Sequence, residues 1–183
     1  MTTPATSRLA FPVSERDYVL GPATALMTLV EYSDYHCSSC DQGYPIVEAL
    51  REQLGNRLRF VFRHFPLTQL PPHAEPAAEA AEAAGAQGQC WEMHDVLFTH
   101  PHALDDPSLI QYAIALGLEP TQFRHTLAVH AYEGRVREDF TNGIQSGVNG
   151  TPTFFIENIR YDGSRDWEPF LVVLEGMAEG KKR

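Results

Sequence analysis

The chain has 183 residues, of which 43% are hydrophobic and 21% are charged, and its formal net charge is −10. This length and composition suit one globular domain, with or without a large insertion, and exclude the disordered, fibrous and disulfide-scaffold classes. A negative field repels phosphate backbones and anionic lipid surfaces, so neither nucleic acid nor a membrane is expected as a partner.

No window of the sequence approaches the ~20 apolar residues of a membrane helix. The N-terminal region also lacks the apolar run of about 7–15 residues that marks a secretory signal. We therefore expect a cytoplasmic protein, while a mature chain that has already lost its signal would look the same.

The first third of the chain predicts an N-terminal arm followed by a strand, a helix and a strand. Residues 1–17 are polar and show no sustained period, which is typical of an arm. The apolar run 25–32 predicts a strand buried on both faces. Apolar residues after Cys40 recur at helical spacing until Gly55, and residues 58–65 alternate as a second strand does.

The rest of the chain predicts a block of helices and then a hairpin and a final helix. From about residue 70 to 147 the pattern is entirely helical, with one helix start predicted at Asp106 as the N-cap and another at Glu119-Pro120. Two short strands follow around a Glu157-Asn158 turn, and a helix begins near Asp166. The predicted fold class is thus α/β, with a discontinuous domain at 18–69 and 148–183 and a helical domain inserted at 70–147.

The cysteines carry the clearest chemical signal in the sequence. Cys37-Ser38-Ser39-Cys40 forms a C-x-x-C motif between the first predicted strand and the helix after it. The N-terminus of a helix favours a thiolate, and the thiolate is the species that attacks a disulfide. We therefore interpret Cys37 as the nucleophile and Cys40 as the thiol that resolves the mixed disulfide.

Zinc binding is the alternative reading of the same motif. A structural zinc site needs four nitrogen or sulfur ligands, and the motif supplies two. The sequence offers further candidate ligands at Cys90, His64, His73, His94, His100 and His102. Cys90 by itself is typical of a core residue, with a third redox thiol as the alternative.

Glu31 interrupts the apolar run six residues before Cys37. A carboxyl group on a buried strand has a raised pKa and can hold or pass a proton. The alternative is an edge position that faces solvent or forms an ion pair with Arg63. The residues alone leave both readings open.

Five segments together resemble the DsbA-like branch of the thioredoxin-fold superfamily. They are residues 17–22 (DYVLGP), 28–32 (TLVEY), 60–66 (FVFRHFP), 91–95 (WEMHD) and 147–154 (GVNGTPTF). The resemblance implies a thioredoxin fold with a helical insertion between its βαβ half and its ββα half. It also implies a protein dithiol–disulfide oxidoreductase whose redox-active disulfide is Cys37–Cys40, with no other cofactor and no metal.

The resemblance implies roles for further residues. Glu31 falls where the superfamily keeps a buried acid, Pro45 falls where it kinks the active-site helix, and Thr151-Pro152 matches its cis-proline turn, where an incoming peptide pairs with the backbone. The implied partners are protein thiols or disulfides and an unidentified redox partner.

Two departures from the family pattern bear on this reading: the two serines between the cysteines, and Cys90, where a large aromatic residue would be equally natural beside Trp91. Ser38 and Ser39 supply hydroxyls where many relatives carry proline or histidine, so we expect a less acidic Cys37 than in the periplasmic members. A glutathione-dependent transferase or isomerase of the kappa-like sort shares the insertion architecture and is a third candidate function, but it needs only one nucleophilic side chain.

Overall fold

The computed structural model describes residues 7–67 and 73–180, except for the side chain of Glu179. The predicted domain boundary at 69–70 and the first six residues of the predicted arm lie outside the described residues. The elements in chain order are β1 (Val19–Leu20), β2 (Met27–Ser33), α1 (Ser38–Leu54), β3 (Leu58–His64), α2 (Ala74–Gly85), α3 (Cys90–Thr99), α4 (Asp106–Ala115), α5 (Pro120–Ala128), α6 (Glu133–Gln145), β4 (Thr153–Ile156), β5 (Ile159–Tyr161) and α7 (Trp167–Gly180).

The strands form one mixed sheet in the order β1-β3-β2-β4-β5. β2 lies at its centre, parallel to β3 and antiparallel to β4. Because α1 connects the parallel pair and α2 to α6 all lie between β3 and β4, the predicted thioredoxin fold with a helical insertion is confirmed. The short strand β1 was not predicted. No helix within the described ranges combines the length and the apolar character that crossing a membrane requires.

The sheet is covered by apolar residues on both faces. One face carries Leu29, Phe60 and Phe154 and packs into a core that includes buried residues of α1 and α7. The other face carries Val30 and Phe155 and packs into a second buried cluster. β2 therefore reads as a nearly continuous apolar run in sequence, as a strand buried on both sides must.

Helix starts show how local side-chain chemistry sets the element bounds. The predicted start of α5 is confirmed, since the Glu119 carboxylate accepts from the first backbone N–H groups and Pro120 is the first helical residue. The prediction of Asp106 as the N-cap of α4 was wrong by one residue. Asp105 is the cap, and its carboxylate accepts from the backbone N–H of Ser108 at 3.0 Å.

The described part of the N-terminal segment is tied to the sheet by a buried ion pair. Arg63 Nε donates to Asp17 Oδ1 at 2.8 Å, and the two side chains are 3% and 4% exposed. The same guanidinium also donates to the backbone oxygens of Phe11 and Pro12 and to the hydroxyl of Tyr32. Arg63 thus donates five hydrogen bonds to protein groups, and these compensate for the loss of water around its buried charge.

Removal of the Asp17 charge should therefore destabilise the fold strongly. Asp17→Asn leaves the Arg63 guanidinium buried without its carboxylate, a change that costs about 3–5 kcal/mol. The matched control is Glu138→Gln, which breaks the exposed pair with Arg16 and should cost about 1 kcal/mol or less. Urea unfolding of the two variants measures the difference, and equal losses of stability would contradict the assignment.

Candidate active site

The C-x-x-C motif lies at the junction between the central strand and α1. Cys37 is the N-cap residue of α1, with an extended backbone at φ −109° and ψ 116°. Its sulfur is half-buried, whereas Cys40, one turn further on, is fully buried. Ser38 and Ser39 are exposed, and both cysteines are free thiols, so the structure describes the dithiol form.

Asp34 holds the loop between β2 and Cys37. Its Oδ1 accepts from the backbone N–H of His36 at 2.8 Å, and its Oδ2 accepts from the backbone N–H of Leu67 at 2.8 Å. Asp34 is buried, and it positions the turn that places Cys37 at the helix start. This role was not predicted from the sequence. The available signal was an aspartate directly after a strand, because an aspartate whose side chain accepts from the backbone N–H two residues later forms an Asx-turn.

The pKa of the Cys37 thiol is lowered to about 5. The largest cause is the hydrogen bond that the Cys40 side chain donates, and further lowering comes from the Thr151 side chain and from the backbone N–H groups of Cys40 and Ser39. Partial burial acts in the opposite direction. Cys37 is thus a thiolate at neutral pH, stabilised by the donors at the start of α1.

The pKa of Cys40 moves the other way. Burial raises it well above its ordinary value, and the hydrogen bond to Cys37 raises it further. Cys40 therefore holds its proton while it donates to the Cys37 thiolate. Cys37 therefore has the reactive, solvent-accessible sulfur, and Cys40 has a protonated sulfur buried behind it.

Thr151 and Pro152 lie beside the sulfur of Cys37. The Thr151-Pro152 peptide bond is cis, as the family resemblance implied. The Sγ of Cys37 lies 3.7 Å from the Thr151 carbonyl oxygen. A Cβ added to Gly43 of α1 would contact the Pro152 ring at 3.7 Å, so the helix passes close to this turn. Pro45 lies inside α1 as predicted.

Glu31 lies on the central strand and is 3% exposed. Glu31 does not form the ion pair with Arg63 that the sequence allowed, because Arg63 pairs with Asp17. Arg63 is also in register with Tyr32, whose side chain points to the opposite face of the sheet from Glu31. Burial is the main cause that raises the pKa of Glu31 to about 7. The carboxyl group can therefore take up or release a proton near neutral pH.

Ser33 lies near both Glu31 and Cys40. It is 1% exposed and points to the same face of β2 as Glu31. Its hydroxyl makes no standard hydrogen bond within the described ranges, yet it is close enough to lower the pKa values of both Glu31 and Cys40. The role of Ser33 was not predicted from the sequence. The available signal was its position two residues after Glu31, because residues two apart on a strand point to the same face.

The ligands that the zinc reading would need are dispersed. Of the described residues, only His64, Glu82 and Asp139 bring three metal-ligand atoms within 4.8 Å of one another, and this set contains no cysteine. His94 is buried among aromatic rings and lies 3.1 Å from the Tyr35 hydroxyl. Cys90 is partly buried, and burial raises its pKa far above that of Cys37.

Three comparisons with known proteins agree with this architecture. A family model described as a DSBA-like thioredoxin domain matches residues 28–175. Oxidised BdbD from Bacillus subtilis has a TM-score of 0.84 at 20% identity and covers 96% of this chain and 100% of that chain. Alpha-DsbA1 from Wolbachia pipientis has a TM-score of 0.80 at 21% identity and covers 96% and 98%. At these identities the two structures share the fold.

Curated relatives with higher identity are much longer proteins. The Na(+)/H(+) antiporter NhaA 1 of Salinispora arenicola (strain CNS-205) is 45% identical over 175 residues, which is 95% of this chain and 27% of that protein. The Na(+)/H(+) antiporter NhaA of Herminiimonas arsenicoxydans is 40% identical over 168 residues, with 92% and 27% covered. The chain therefore spans about a quarter of the length of these relatives.

The environment of Cys37 predicts how its reactivity depends on pH. Thiolate absorbance and the rate of alkylation by iodoacetamide should both rise with a midpoint near pH 5. Cys40→Ala removes the largest source of thiolate stabilisation and should move the midpoint upwards. Cys90→Ala, the matched removal of another cysteine, should leave the midpoint in place. A midpoint in wild type near the ordinary thiol value of about 8.5 would contradict the site.

Proposed function

Because the chain belongs to the DSBA-like thioredoxin domain family, we propose that it is a thiol–disulfide oxidoreductase that exchanges disulfides with protein substrates. The observation that carries the proposal is the unequal pair of thiols at the start of α1. Cys37 is half-exposed with a pKa of about 5, and Cys40 is buried and protonated behind it. One sulfur is ready to attack a substrate, and the other is kept for the second step.

The reaction transfers two electrons and needs no further cofactor. The Cys37 thiolate attacks a substrate disulfide, forms a Cys37–substrate disulfide and releases one substrate thiolate, which takes a proton from solvent. Cys40 then loses its proton and attacks Cys37 Sγ, which forms the Cys37–Cys40 disulfide and releases the second substrate thiol. The same steps in reverse oxidise a substrate dithiol. Thr151, beside Cys37, is positioned to pair with the substrate backbone.

Glu31 and Ser33 supply a route for the proton of Cys40. Cys40 must become a thiolate before it can attack, and burial opposes this. Ser33 lies near both the Cys40 thiol and the Glu31 carboxylate, which accepts a proton near pH 7. The proton passes from Cys40 through the Ser33 hydroxyl to Glu31 as the new disulfide forms, so no net charge accumulates in the core.

The acidity of Cys37 also bears on the direction of exchange. A stabilised thiolate favours the reduced protein and makes its disulfide a better oxidant. The nucleophilic cysteine has a pKa of about 7 in thioredoxin and about 3.5 in DsbA. With a pKa of about 5, Cys37 lies between them, and we expect a reduction potential between theirs.

The names of the longer relatives describe whole proteins, and our proposal concerns the segment that they share with this chain. The substrates are protein thiols or disulfides, and a redox partner must restore the cysteine pair after each turnover. The cytoplasmic location expected from the sequence stays a prediction.

Insulin reduction by dithiothreitol tests the proposal directly. Wild type should accelerate the precipitation of reduced insulin, and Cys37→Ser should abolish the acceleration because it removes the attacking sulfur. Cys40→Ser should instead accumulate a mixed disulfide with insulin, visible on a non-reducing gel, and Cys90→Ser should behave as wild type. If wild type and Cys37→Ser give the same rate, the proposal fails.

Glu31→Gln should slow the release of the mixed disulfide much more than its formation, on the order of 100-fold, because it removes a general base. In wild type the release rate should rise as the pH crosses about 7, and this rise should vanish in the variant. Ser33→Ala should slow the same step. Stopped-flow fluorescence with a disulfide-containing peptide resolves the two steps.

The exposed Glu52→Gln on α1 is the control for loss of a carboxylate and should leave both rates unchanged. Equal effects of Glu31→Gln on formation and release would assign Glu31 a structural role.

A further inference from the structure

A cavity in the helical block contains polar groups that the exchange reaction does not use. It has a volume of about 560 Å³ and lies between α2, the start of α4 and the end of α5. Its polar lining groups are His73, Glu79, Asp106 and His130, and its apolar walls include Pro76 and Leu127. We call this cavity the Glu79 pocket.

Glu79 is a buried carboxylate with one unpaired oxygen. Its side chain is 2% exposed, and its Oε1 lies 3.0 Å from His130 Nδ1. Its Oε2 is buried and has no hydrogen-bond partner among residues 7–67 and 73–180. A buried carboxylate oxygen without a donor is costly, and a ligand that supplies a donor would recover that cost.

The charge of the pocket selects a cation. Asp106 is exposed at its rim and adds a second carboxylate. Glu75 and Glu133 also raise the pKa of Glu79, and both of them pair with Arg137. Of the two histidines that line the pocket, His130 contacts one of the two Glu79 oxygens.

The geometry favours an organic cation over a metal ion. The ligand atoms of His73, Glu79, Asp106 and His130 do not meet within 4.8 Å in groups of three, unlike those of the cluster at His64. An ammonium or guanidinium group needs no such convergence, and its alkyl chain can lie against Pro76 and Leu127.

One lining residue of the pocket, His73, lies close to the redox centre. The ring centroid of His73 lies 6.4 Å from that of His36, and His36 directly precedes Cys37. An extended peptide covers about 3.3–3.6 Å per residue, so a polypeptide joined to Cys37 reaches this rim within a few residues.

We propose that the Glu79 pocket binds a lysine or arginine side chain of the substrate polypeptide while its cysteine is joined to Cys37. Glu79 Oε2 accepts a hydrogen bond from the cationic group, and the apolar walls hold the alkyl chain. The proposal rests on the proposed function for its account of the substrate, but the binding itself does not require redox chemistry.

Exchange kinetics with paired peptides test the proposal at about pH 8, above the ordinary pKa of histidine. The disulfide peptides carry lysine or norleucine at about three to six residues from the cysteine. For at least one spacing, wild type should prefer lysine about tenfold in kcat/KM. Glu79→Gln should abolish the preference, and Glu92→Gln, which removes an exposed carboxylate on α3 outside the pocket lining, should keep it.

Ala128→Trp serves as a second variant, because Ala128 is an exposed lining residue and a large side chain there fills the pocket without changing its charge. It should also abolish the preference. All variants should react with dithiothreitol at the wild-type rate. A wild type without preference for lysine at any spacing, or a preference that survives both variants, would overturn the proposal.

Direct binding separates this proposal from the redox function. Titration of N-acetyl-lysine methylamide, which has no sulfur, should shift the NMR amide resonances around Glu79 in wild type but not in Glu79→Gln, and the norleucine analogue should shift neither. Binding with no disulfide exchange would overturn only the proposed function. Exchange without binding or preference would overturn only the pocket.

Discussion

The hydrogen bond between the thiols of Cys37 and Cys40 joins a half-exposed sulfur to a fully buried one. It is the largest cause of the low pKa of Cys37, and the same contact raises the pKa of Cys40. A negative charge on one sulfur therefore depends on a proton on the other. The fold creates this inequality because α1 starts at the surface with Cys37 as its N-cap and descends into the core within one turn.

The central position of β2 explains why the Glu31 carboxyl group is buried close to the Cys40 thiol. A strand covered on both faces removes its side chains from water, which is why the pKa of Glu31 reaches about 7. The alternation of side chains along the strand then places Ser33 on the same face, towards Cys40. On the other face the strand carries Tyr32, whose hydroxyl helps to hold the Arg63 guanidinium. The residues of the proposed proton route and the residue that supports the buried ion pair thus occupy opposite faces of one strand.

Much of this could be predicted from sequence because it rests on local patterns. The strand–helix–strand unit follows from apolar periodicity, and the hairpin at Glu157-Asn158 has both residues in the left-handed region, with φ of 50° and 67°. The motif spacing placed both thiols on the first turn of α1. The position of Thr151 beside Cys37 was implied only by the family resemblance, since 114 residues separate the two in sequence.

The errors and omissions have equally specific causes. Arg63 offered an ion pair with Glu31 in sequence, but the pleat directs the two side chains to opposite faces and Asp17 takes the charge. Two adjacent aspartates, Asp105 and Asp106, made the cap of α4 ambiguous by one residue, and side-chain geometry decided it. Glu79 lies in an alanine-rich helix whose sequence indicates only a helix packed against its neighbours. The pocket that it lines depends on where α4 starts and α5 ends, which no local pattern records.

The helical insertion lies next to the proposed reaction centre. The groups of the proposed exchange lie in β2, α1 and the turn before β4, and α2 to α6 contribute none of the reacting atoms. His73, the N-cap residue of α2, lies beside His36 and also lines the Glu79 pocket. A chain with a net charge of −10 also attracts cationic polypeptides over a distance, and the effect weakens as salt screens it. In the proposed exchange, long-range attraction and the proposed cation pocket favour the same substrates: the field raises the rate of encounter, and Glu79 selects the residue that is held while Cys37 reacts.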